Sequence, residues 1–224
     1  MEAIASDIFR ASIPLHIIKV ARILLARGRL KELYEEKRRD DEFDYVIEMF
    51  KIFNDKMIRG TSVEFINDSV ERYANKPQTL AKLDQRVLEA VRGIHQARKT
   101  TGIVSAGYMD GIIRILRAAG CTDCFDFCEG DTLKSEGNRA VGFELKPYKR
   151  KHEVLARLLR ERNLDVSTVA YMGDSDDDEG CFQIVGHPIV SFFAPDDLKQ
   201  KYAQSFRAFV PKNETELMAY LSST

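Results

Sequence analysis

The segment "VAYMGDSDDDEGCF", residues 169–182, has five acidic side chains within six positions, directly behind a short apolar run. Like charges at this density repel one another, so a folded chain must neutralise them. The apolar run has the length and composition of a buried β-strand that ends near Gly173. The segment therefore predicts a strand with a group of carboxylates at its carboxyl end. These carboxylates belong to Asp174, Asp176, Asp177, Asp178 and Glu179.

Strand and helix patterns alternate on both sides of this segment. "TGIVSAGY" (101–108) and "PIVSFF" (188–193) have strand patterns, and "KRKHEVLARLLRERN" (149–163) has a helical one. "DFCEGDTL" and "RAVGFEL", joined through Gly137 and Asn138, predict a hairpin. Alternation of this kind is typical of an α/β protein with a mainly parallel sheet covered by helices. We expect a Rossmann-like core formed by residues 1–13 and 99–224.

The stretch from residue 14 to residue 98 has an almost wholly helical pattern. Apolar side chains recur at spacings of three and four before Gly60, and another helix is expected from Pro77 through residue 98. We therefore predict an all-helical module, residues 14–98, inserted near the start of the α/β core.

Composition excludes some classes of partner. Lys and Arg total 34 against 35 for Asp and Glu, so the formal net charge is −1. This balance gives no general attraction to nucleic acid or to an anionic membrane. The first residues do not resemble an export signal, and no apolar run is long enough to span a bilayer. We expect a cytoplasmic protein that binds neither nucleic acid nor membrane.

Two strand ends are candidates for a binding site, because open α/β sheets bind ligands at the carboxyl ends of their strands. One is the acidic loop and the other is "SAGY" (105–108). A hard divalent cation would neutralise the carboxylates. A calcium-binding hand is excluded, because a loop starting at Asp174 has Glu179 where glycine is required and Val185 where glutamate is required. The alternative is a solvated acidic turn that caps the next helix.

Three segments in this order, "GIVSAGY" (102–108), "KHEVLARL" (151–158) and "VAYMGDSDDDEGCF", resemble motifs two to four of the haloacid dehalogenase superfamily. With the hairpin between them, they are most similar to its phosphoserine-phosphatase-like branch. The resemblance implies a core of that type with residues 14–98 as its helical cap, inserted after the first strand.

The same resemblance implies Mg²⁺-dependent hydrolysis of a small phosphorylated substrate through an aspartyl-phosphate. Asp174 and Asp178 would hold Mg²⁺ directly or through water. Ser105 would hydrogen-bond a phosphoryl oxygen, and Lys151 would offset negative charge. Lys146 and Lys149 are alternatives to Lys151.

The first motif departs from the family pattern. The segment "AIASDIFRAS" (3–12) puts Asp7 at the position of the nucleophile, which is also a metal ligand. Phe9 stands where the family has its acid/base aspartate, and Ala11 stands in place of threonine. Three alternatives follow: a phosphatase that uses Asp7, a non-catalytic protein that binds metal or a phosphorylated ligand in a regulatory role, and a haloacid dehalogenase. An exposed amino-terminal carboxylate without catalytic function is the further interpretation of Asp7.

Overall fold

A computed structural model of the chain describes Arg29, Glu32, Leu33 and residues 45–223. The predictions for Asp7, Phe9 and Ala11 lie outside the described residues. The described α-helices are, in chain order, α1 (Tyr45–Phe53), α2 (Val63–Ala74), α3 (Pro77–Leu80), α4 (Gln85–Gln96), α5 (Met109–Ala118), α6 (Lys151–Glu161), α7 (Glu179–Ile184), α8 (Asp196–Ser205) and α9 (Glu214–Ser223). The described strands are β1 (Gly102–Tyr108), β2 (Phe127–Glu136), β3 (Arg139–Glu144), β4 (Ala170–Gly173) and β5 (His187–Val190).

The chain divides into two compact units. The first contains the residues up to Leu80 together with Thr132–Glu144, and the second contains Ala81–Asp131 and the residues from Leu145 onward. Among the described residues, no helix is both long and apolar enough to cross a membrane.

The second unit has the predicted α/β architecture. Strand β1 pairs in parallel with β2, and β4 pairs in parallel with β5. Phe209, in the segment "AFV" (208–210), forms one parallel bridge with Ile189 of β5. Helices flank these strands, as expected for parallel pairs whose two faces are both apolar. The fold class predicted from the sequence, α/β with a mainly parallel sheet, is confirmed.

One hydrophobic cluster anchors both strands that lead to the candidate site. Leu155 and Leu159 of α6 pack with Cys181 of α7, and all three are at most 3% exposed. Val104 of β1 and Tyr171 of β4 pack against the same cluster. Because these side chains interdigitate in a dense interior, β1 and β4 are held against a common helical layer.

The helix predicted from Pro77 to residue 98 is two helices. It is interrupted before Asp84, whose Oδ1 accepts a hydrogen bond from the Arg86 N–H and caps α4. Helix α4 then packs within the second unit, where Ala90 contacts Leu217 of α9. Residues 14–98 thus include a helix that belongs to the α/β unit by its contacts. A cap formed by the whole of 14–98 stays a prediction.

The described part of the first unit combines helices with the outer part of the hairpin. Helix α1 continues as a π-helix, Asn54–Ile58, and the chain turns at Gly60 with φ +75°. Ser62 caps α2 by accepting a hydrogen bond from the Phe65 N–H at 3.0 Å. Strands β2 and β3 pair antiparallel, and the Phe143 N–H donates to Asn54 Oδ1 at 3.1 Å. The predicted hairpin is therefore present.

Candidate functional site

Asp178 organises the loop that follows β4. Its Oδ1 accepts hydrogen bonds from Lys151 Nζ at 2.8 Å and from the Tyr171 hydroxyl at 2.7 Å. Its Oδ2 accepts from the backbone N–H groups of Asp174 and Ser175, at 3.0 and 3.1 Å, and from Ser175 Oγ at 3.0 Å. The Asp178 side chain is only 3% exposed. Five protein donors therefore occupy both carboxylate oxygens of this buried residue.

The Lys151–Asp178 pair is ionised at neutral pH. Burial favours the neutral form of each group, but the hydrogen bond and charge of Lys151 outweigh burial and lower the pKa of Asp178. In the same way, Asp178 and Asp177 raise the pKa of Lys151. A buried ion pair needs this full set of hydrogen bonds to offset the cost of desolvation.

The local backbone is adapted to this buried carboxylate. A Cβ atom on Gly173, the last residue of β4, would lie 2.5 Å from the Cβ of Asp178. Separations this short do not occur between such atoms, so glycine is required where the strand turns into the loop. Gly173, the glycine of the G-D-S sequence, is thus explained by the turn that places Asp178 against the backbone of the loop.

Lysine residues neutralise most of the other acidic side chains. Lys151 Nζ lies 3.3 Å from Asp177 Oδ2, and the backbone N–H of Lys149 donates to Asp177 Oδ1 at 3.1 Å. Lys201 of α8 lies 3.1 Å from Asp176 Oδ1 and 3.0 Å from Glu179 Oε2. These contacts explain how the chain tolerates five carboxylates in six positions.

Asp174 is the exception in the acidic loop. Its side chain is exposed, and its carboxylate forms no hydrogen bond or ion pair within the part of the chain that the structure describes. Its backbone N–H is fixed by Asp178. Counting only partners in the described ranges, the loop therefore presents one unpaired carboxylate, at the carboxyl end of β4.

Ser105 lies in the part of β1 where the regular pairing with β2 is interrupted. The pairing of β1 with β2 is irregular between Val104 and Tyr108, and the Gly107 N–H donates to Ser105 Oγ at 3.1 Å. A Cβ on Gly130 of β2 would lie within 3.0 Å of the carbonyl oxygens of both Ser105 and Gly107, so this close approach requires glycine. Because Ser105 Oγ acts as acceptor here, its hydroxyl hydrogen remains to donate to a ligand.

Among the three candidate lysines, Lys151 is the one whose ammonium contacts Asp177 and Asp178. Lys149 contributes a backbone N–H to the loop, and Lys146 donates its backbone N–H to Asp131. The structure brings Lys151, Asp174 and Asp178 together. Within the described ranges, no hydrogen bond joins Ser105 to that group.

Several residues that shape this region were missed by the sequence interpretation. They are Tyr171, Lys201, Tyr202 and Asp131. Tyr171 lies two positions before Gly173 and could have been noted, whereas Lys201 and Tyr202 carry no local signal. Asp131 was assigned only as part of a strand.

Asp131 is a buried carboxyl at the point where β2 stops pairing with β1. It is 2% exposed, and its Oδ1 accepts a hydrogen bond from the Lys146 N–H at 2.9 Å. Its Oδ2 has no hydrogen-bond partner among the described residues. Burial raises the pKa of Asp131 to about 6, and the single hydrogen bond from Lys146 offsets this only in part.

The donor set at the acidic loop fits a hard divalent cation. The free Asp174 carboxylate is an oxygen ligand of the kind that Mg²⁺ prefers. Asp178 has both oxygens in use and would reach a cation only through water. Across residues 29, 32, 33 and 45–223, no three His, Cys, Asp or Glu side chains are arranged to hold a metal ion. Asp7, the third predicted ligand, lies outside these residues.

Comparison with known proteins agrees with this architecture. The model of the family described as haloacid dehalogenase-like hydrolase matches residues 18–190. No curated protein matches the chain.

Similar solved structures share the fold at low sequence identity. A substrate-bound phosphoserine phosphatase is 16% identical, with 91% of this chain and 90% of that chain covered and a TM-score of 0.55. A protein of unknown function from Bordetella pertussis Tohama I is 17% identical, with 92% and 89% covered and a TM-score of 0.65. Cytosolic 5'-nucleotidase IIIB bound to cytidine is 16% identical, with 88% and 72% covered and a TM-score of 0.58.

Proposed function

Because the chain belongs to the haloacid dehalogenase-like hydrolase family, we propose that it is an Mg²⁺-dependent phosphatase acting on small phosphomonoesters. The observation that carries this proposal is the Asp174 carboxylate, which has no partner among the described residues, beside the ionised Lys151–Asp178 pair. Phosphoryl transfer depends chiefly on positioning and on neutralising charge, and this arrangement offers both.

Asp174 and Asp7 would hold the cation directly, and Asp178 would do so through water. Bound there, Mg²⁺ would offset the negative charge of the phosphoryl group. Asp178 has a second role in this proposal: its hydrogen bonds to the N–H groups of Asp174 and Ser175 fix the direction in which the loop presents Asp174. Preorganised ligands of this kind cost little rearrangement during the reaction.

Lys151 and Ser105 would bind the phosphoryl oxygens. An ammonium group has three N–H donors, and the Lys151 ammonium uses two of them on Asp178 and Asp177. The third remains for a phosphoryl oxygen or for the carboxylate of the nucleophile. The Ser105 hydroxyl supplies a further donor from β1.

Asp7 would be the nucleophile. A carboxylate oxygen of Asp7 attacks phosphorus, the P–O bond to the alcohol breaks, and the alkoxide leaves and takes up a proton. Water then attacks the aspartyl-phosphate, which releases inorganic phosphate and restores the carboxylate. Because residue 9 is phenylalanine, the proton for the leaving alkoxide must come from another donor, and we expect turnover to be slow for alkyl esters.

A non-catalytic role is the second candidate, favoured by the same Phe9 and by Ala11. In that case the protein would bind Mg²⁺ and a phosphorylated ligand through Asp174, Lys151 and Ser105 without turning the ligand over. Cation binding is common to both candidates, and only turnover separates them.

The test measures phosphate release from p-nitrophenyl phosphate, phosphoserine and cytidine 5'-monophosphate, with and without Mg²⁺, alongside thermal denaturation. We expect Mg²⁺-dependent turnover and a rise in melting temperature with Mg²⁺. Asp174→Asn should lose both. The control is Asp196→Asn, because the Asp196 side chain is 99% exposed and pairs with Lys199.

The results separate the candidates. A rise in melting temperature without turnover on any ester would favour the non-catalytic role. Absence of Mg²⁺ binding to the folded wild-type chain would overturn both.

A further inference from the structure

Phe193 is an apolar side chain that the fold leaves in solvent. Of the large apolar side chains that the structure describes, two are exposed: Val166, at 47%, and Phe193, at 62%. Val166 lies in a short helical turn before β4, whereas Phe193 follows β5. Because β4 and β5 are parallel, the two residues stand at opposite ends of this pair, and Phe193 is at the carboxyl ends. This is the end at which open α/β sheets bind ligands.

The turn that carries Phe193 is fixed by its neighbours. The Ala194 N–H donates to the Ser191 carbonyl at 3.1 Å, which closes a β-turn, and the Phe193 N–H donates to Ser191 Oγ at 3.3 Å. Phe192 packs against one hydrophobic cluster and lies under the Arg86 guanidinium, 4.1 Å from its ring centroid. Ala194 is buried in another cluster. Because the residues on both sides are anchored, the backbone holds the Phe193 ring in solvent.

One hydrogen bond and a short length of chain separate Phe193 from Asp174. The Ser191 N–H donates to the Gly173 carbonyl at 2.8 Å, and Gly173 directly precedes Asp174. Since Phe193 is two positions after Ser191, the Cα atoms of Phe193 and Asp174 lie at most about 14 Å apart. An ester whose phosphoryl group is bound beside Asp174 can therefore place its organic part against the Phe193 ring.

The exposed ring differs in chemistry from the rest of the candidate site. Lys151 and Ser105 offer N–H and O–H donors, which suit phosphoryl oxygens. Phe193 offers an apolar aromatic face, and within the described residues this ring stacks on no other aromatic side chain. Aromatic rings attract one another in offset-stacked and edge-to-face arrangements, and both remove apolar area from water. A ring in the ligand is thus the group that Phe193 binds best.

We propose that Phe193 is a specificity-determining residue that stacks against a ring in the leaving group, so that the preferred substrates are phosphomonoesters of aromatic or heterocyclic alcohols. This inference rests on the proposed function, because it requires a phosphoryl group bound beside Asp174. It assigns a contact to the organic part of the ester, which the proposed function leaves open.

The experiment compares two substrates whose leaving groups depart without a proton. They are p-nitrophenyl phosphate, which has a ring, and acetyl phosphate, which has none. The kcat/KM for each is measured with Mg²⁺ for the wild type, Phe193→Ala and Phe193→Tyr, of which the last keeps the ring. Val166→Ala is the matched control, because it also shortens an exposed apolar side chain, but at the amino end of β4.

Phe193→Ala should lower kcat/KM for p-nitrophenyl phosphate about tenfold, within the range found when an aromatic side chain that stacks on a ligand ring is removed. The value for acetyl phosphate should stay within about twofold of the wild type, because no ring contact is lost. The loss should lie in KM, since the ring is contacted equally in the ground state and in the transition state. Phe193→Tyr and Val166→Ala should keep the wild-type ratio of the two kcat/KM values.

An unchanged ratio in Phe193→Ala, whether both values hold or both fall together, would overturn the inference and leave the proposed function standing. A wild type that hydrolyses acetyl phosphate but not p-nitrophenyl phosphate would overturn the inference as well. A wild-type chain that hydrolyses neither substrate would overturn the proposed phosphatase activity and the inference with it. Circular dichroism verifies the fold of each variant, and because the Phe193 side chain is exposed, its loss spares the core.

Discussion

Lys151, the first residue of α6, places its Nζ 2.8 Å from Oδ1 of Asp178, in the loop after β4. Both side chains are largely buried, at 12% and 3% exposure. The pair therefore joins two elements that are 27 residues apart in the chain. Among the residues that the structure describes, Asp174 is the acidic side chain of the loop that forms no hydrogen bond or ion pair.

Lys151→Met should destabilise the fold by about 3 kcal/mol, because it leaves the buried Asp178 carboxylate without the positively charged ammonium group of Lys151. Urea denaturation followed by circular dichroism measures this loss. Lys199→Met breaks the surface ion pair with Asp196 and should lower the free energy of unfolding by less than about 1 kcal/mol. Equal losses in the two variants would mean that the Lys151–Asp178 pair is no stronger than a surface contact.

Gly173→Ala should destabilise the protein by about 2 kcal/mol or more, because its Cβ would overlap Asp178. Since the loop must shift, the rise in melting temperature with Mg²⁺ should also shrink. Gly93→Ala is the control. Its Cβ would lie 2.9 Å from the terminal methyl of Met218, the flexible end of a side chain that can move, and alanine favours a helix. The interpretation of the turn fails if Gly173→Ala is as stable as Gly93→Ala.

Asp131 should make stability fall as pH rises. Its pKa is raised from 3.8 to about 6 in the folded protein, so between these values the unfolded chain has lost a proton that the folded chain keeps. The contribution of Asp131 to the free energy of unfolding is therefore greatest below about pH 4, falls by about 2–3 kcal/mol as the pH rises to about 6, and changes little above that.

Asp131→Asn cannot ionise and should remove this part of the pH dependence. Free energies of unfolding of both proteins, measured by urea denaturation from pH 4 to pH 8, provide the comparison. Parallel curves for the wild type and the variant would show that Asp131 ionises normally in the folded state.

Phe9→Asp should increase turnover of alkyl phosphates, because a carboxyl two positions after Asp7 can protonate the leaving alkoxide. General acid catalysis is worth about 10²–10⁴-fold, and an imperfectly placed group should give the lower part of that range. The gain should be smaller for p-nitrophenyl phosphate, whose leaving group needs no proton.

Phe9→Asn is the matched control for this substitution, because asparagine has about the same size as aspartate but has no carboxyl group to donate a proton. Circular dichroism and Mg²⁺ binding establish that both variants are folded. Unchanged rates on both ester classes in a folded, Mg²⁺-binding Phe9→Asp variant would mean that the register placing Asp7 and residue 9 in the first motif is wrong.

Local sequence patterns determined the order of elements and the location of the candidate site. An apolar run followed by glycine and aspartate predicts the end of a strand, and apolar residues that recur every three or four positions predict a helix. Both patterns can be recognised because they depend only on residues that are close together in the sequence. Strand β4, helix α6 and the hairpin between β2 and β3 were predicted for this reason. The interruption before Asp84 was missed, since the apolar pattern continues across it.

Only the tertiary structure decided what each charged side chain does. The sequence placed five carboxylates together, but their partners come from other elements: Lys151 from α6, and Lys201 and Tyr202 from α8. The burial of Asp131 likewise depends on strand pairing and on the segment around Lys146. Side-chain pairing depends on distances between elements that are remote in the chain, and local periodicity carries no information about those distances. Within the described part of the chain, the packing of α6 and α8 against the loop therefore engages the other four carboxylates and leaves Asp174 without a partner.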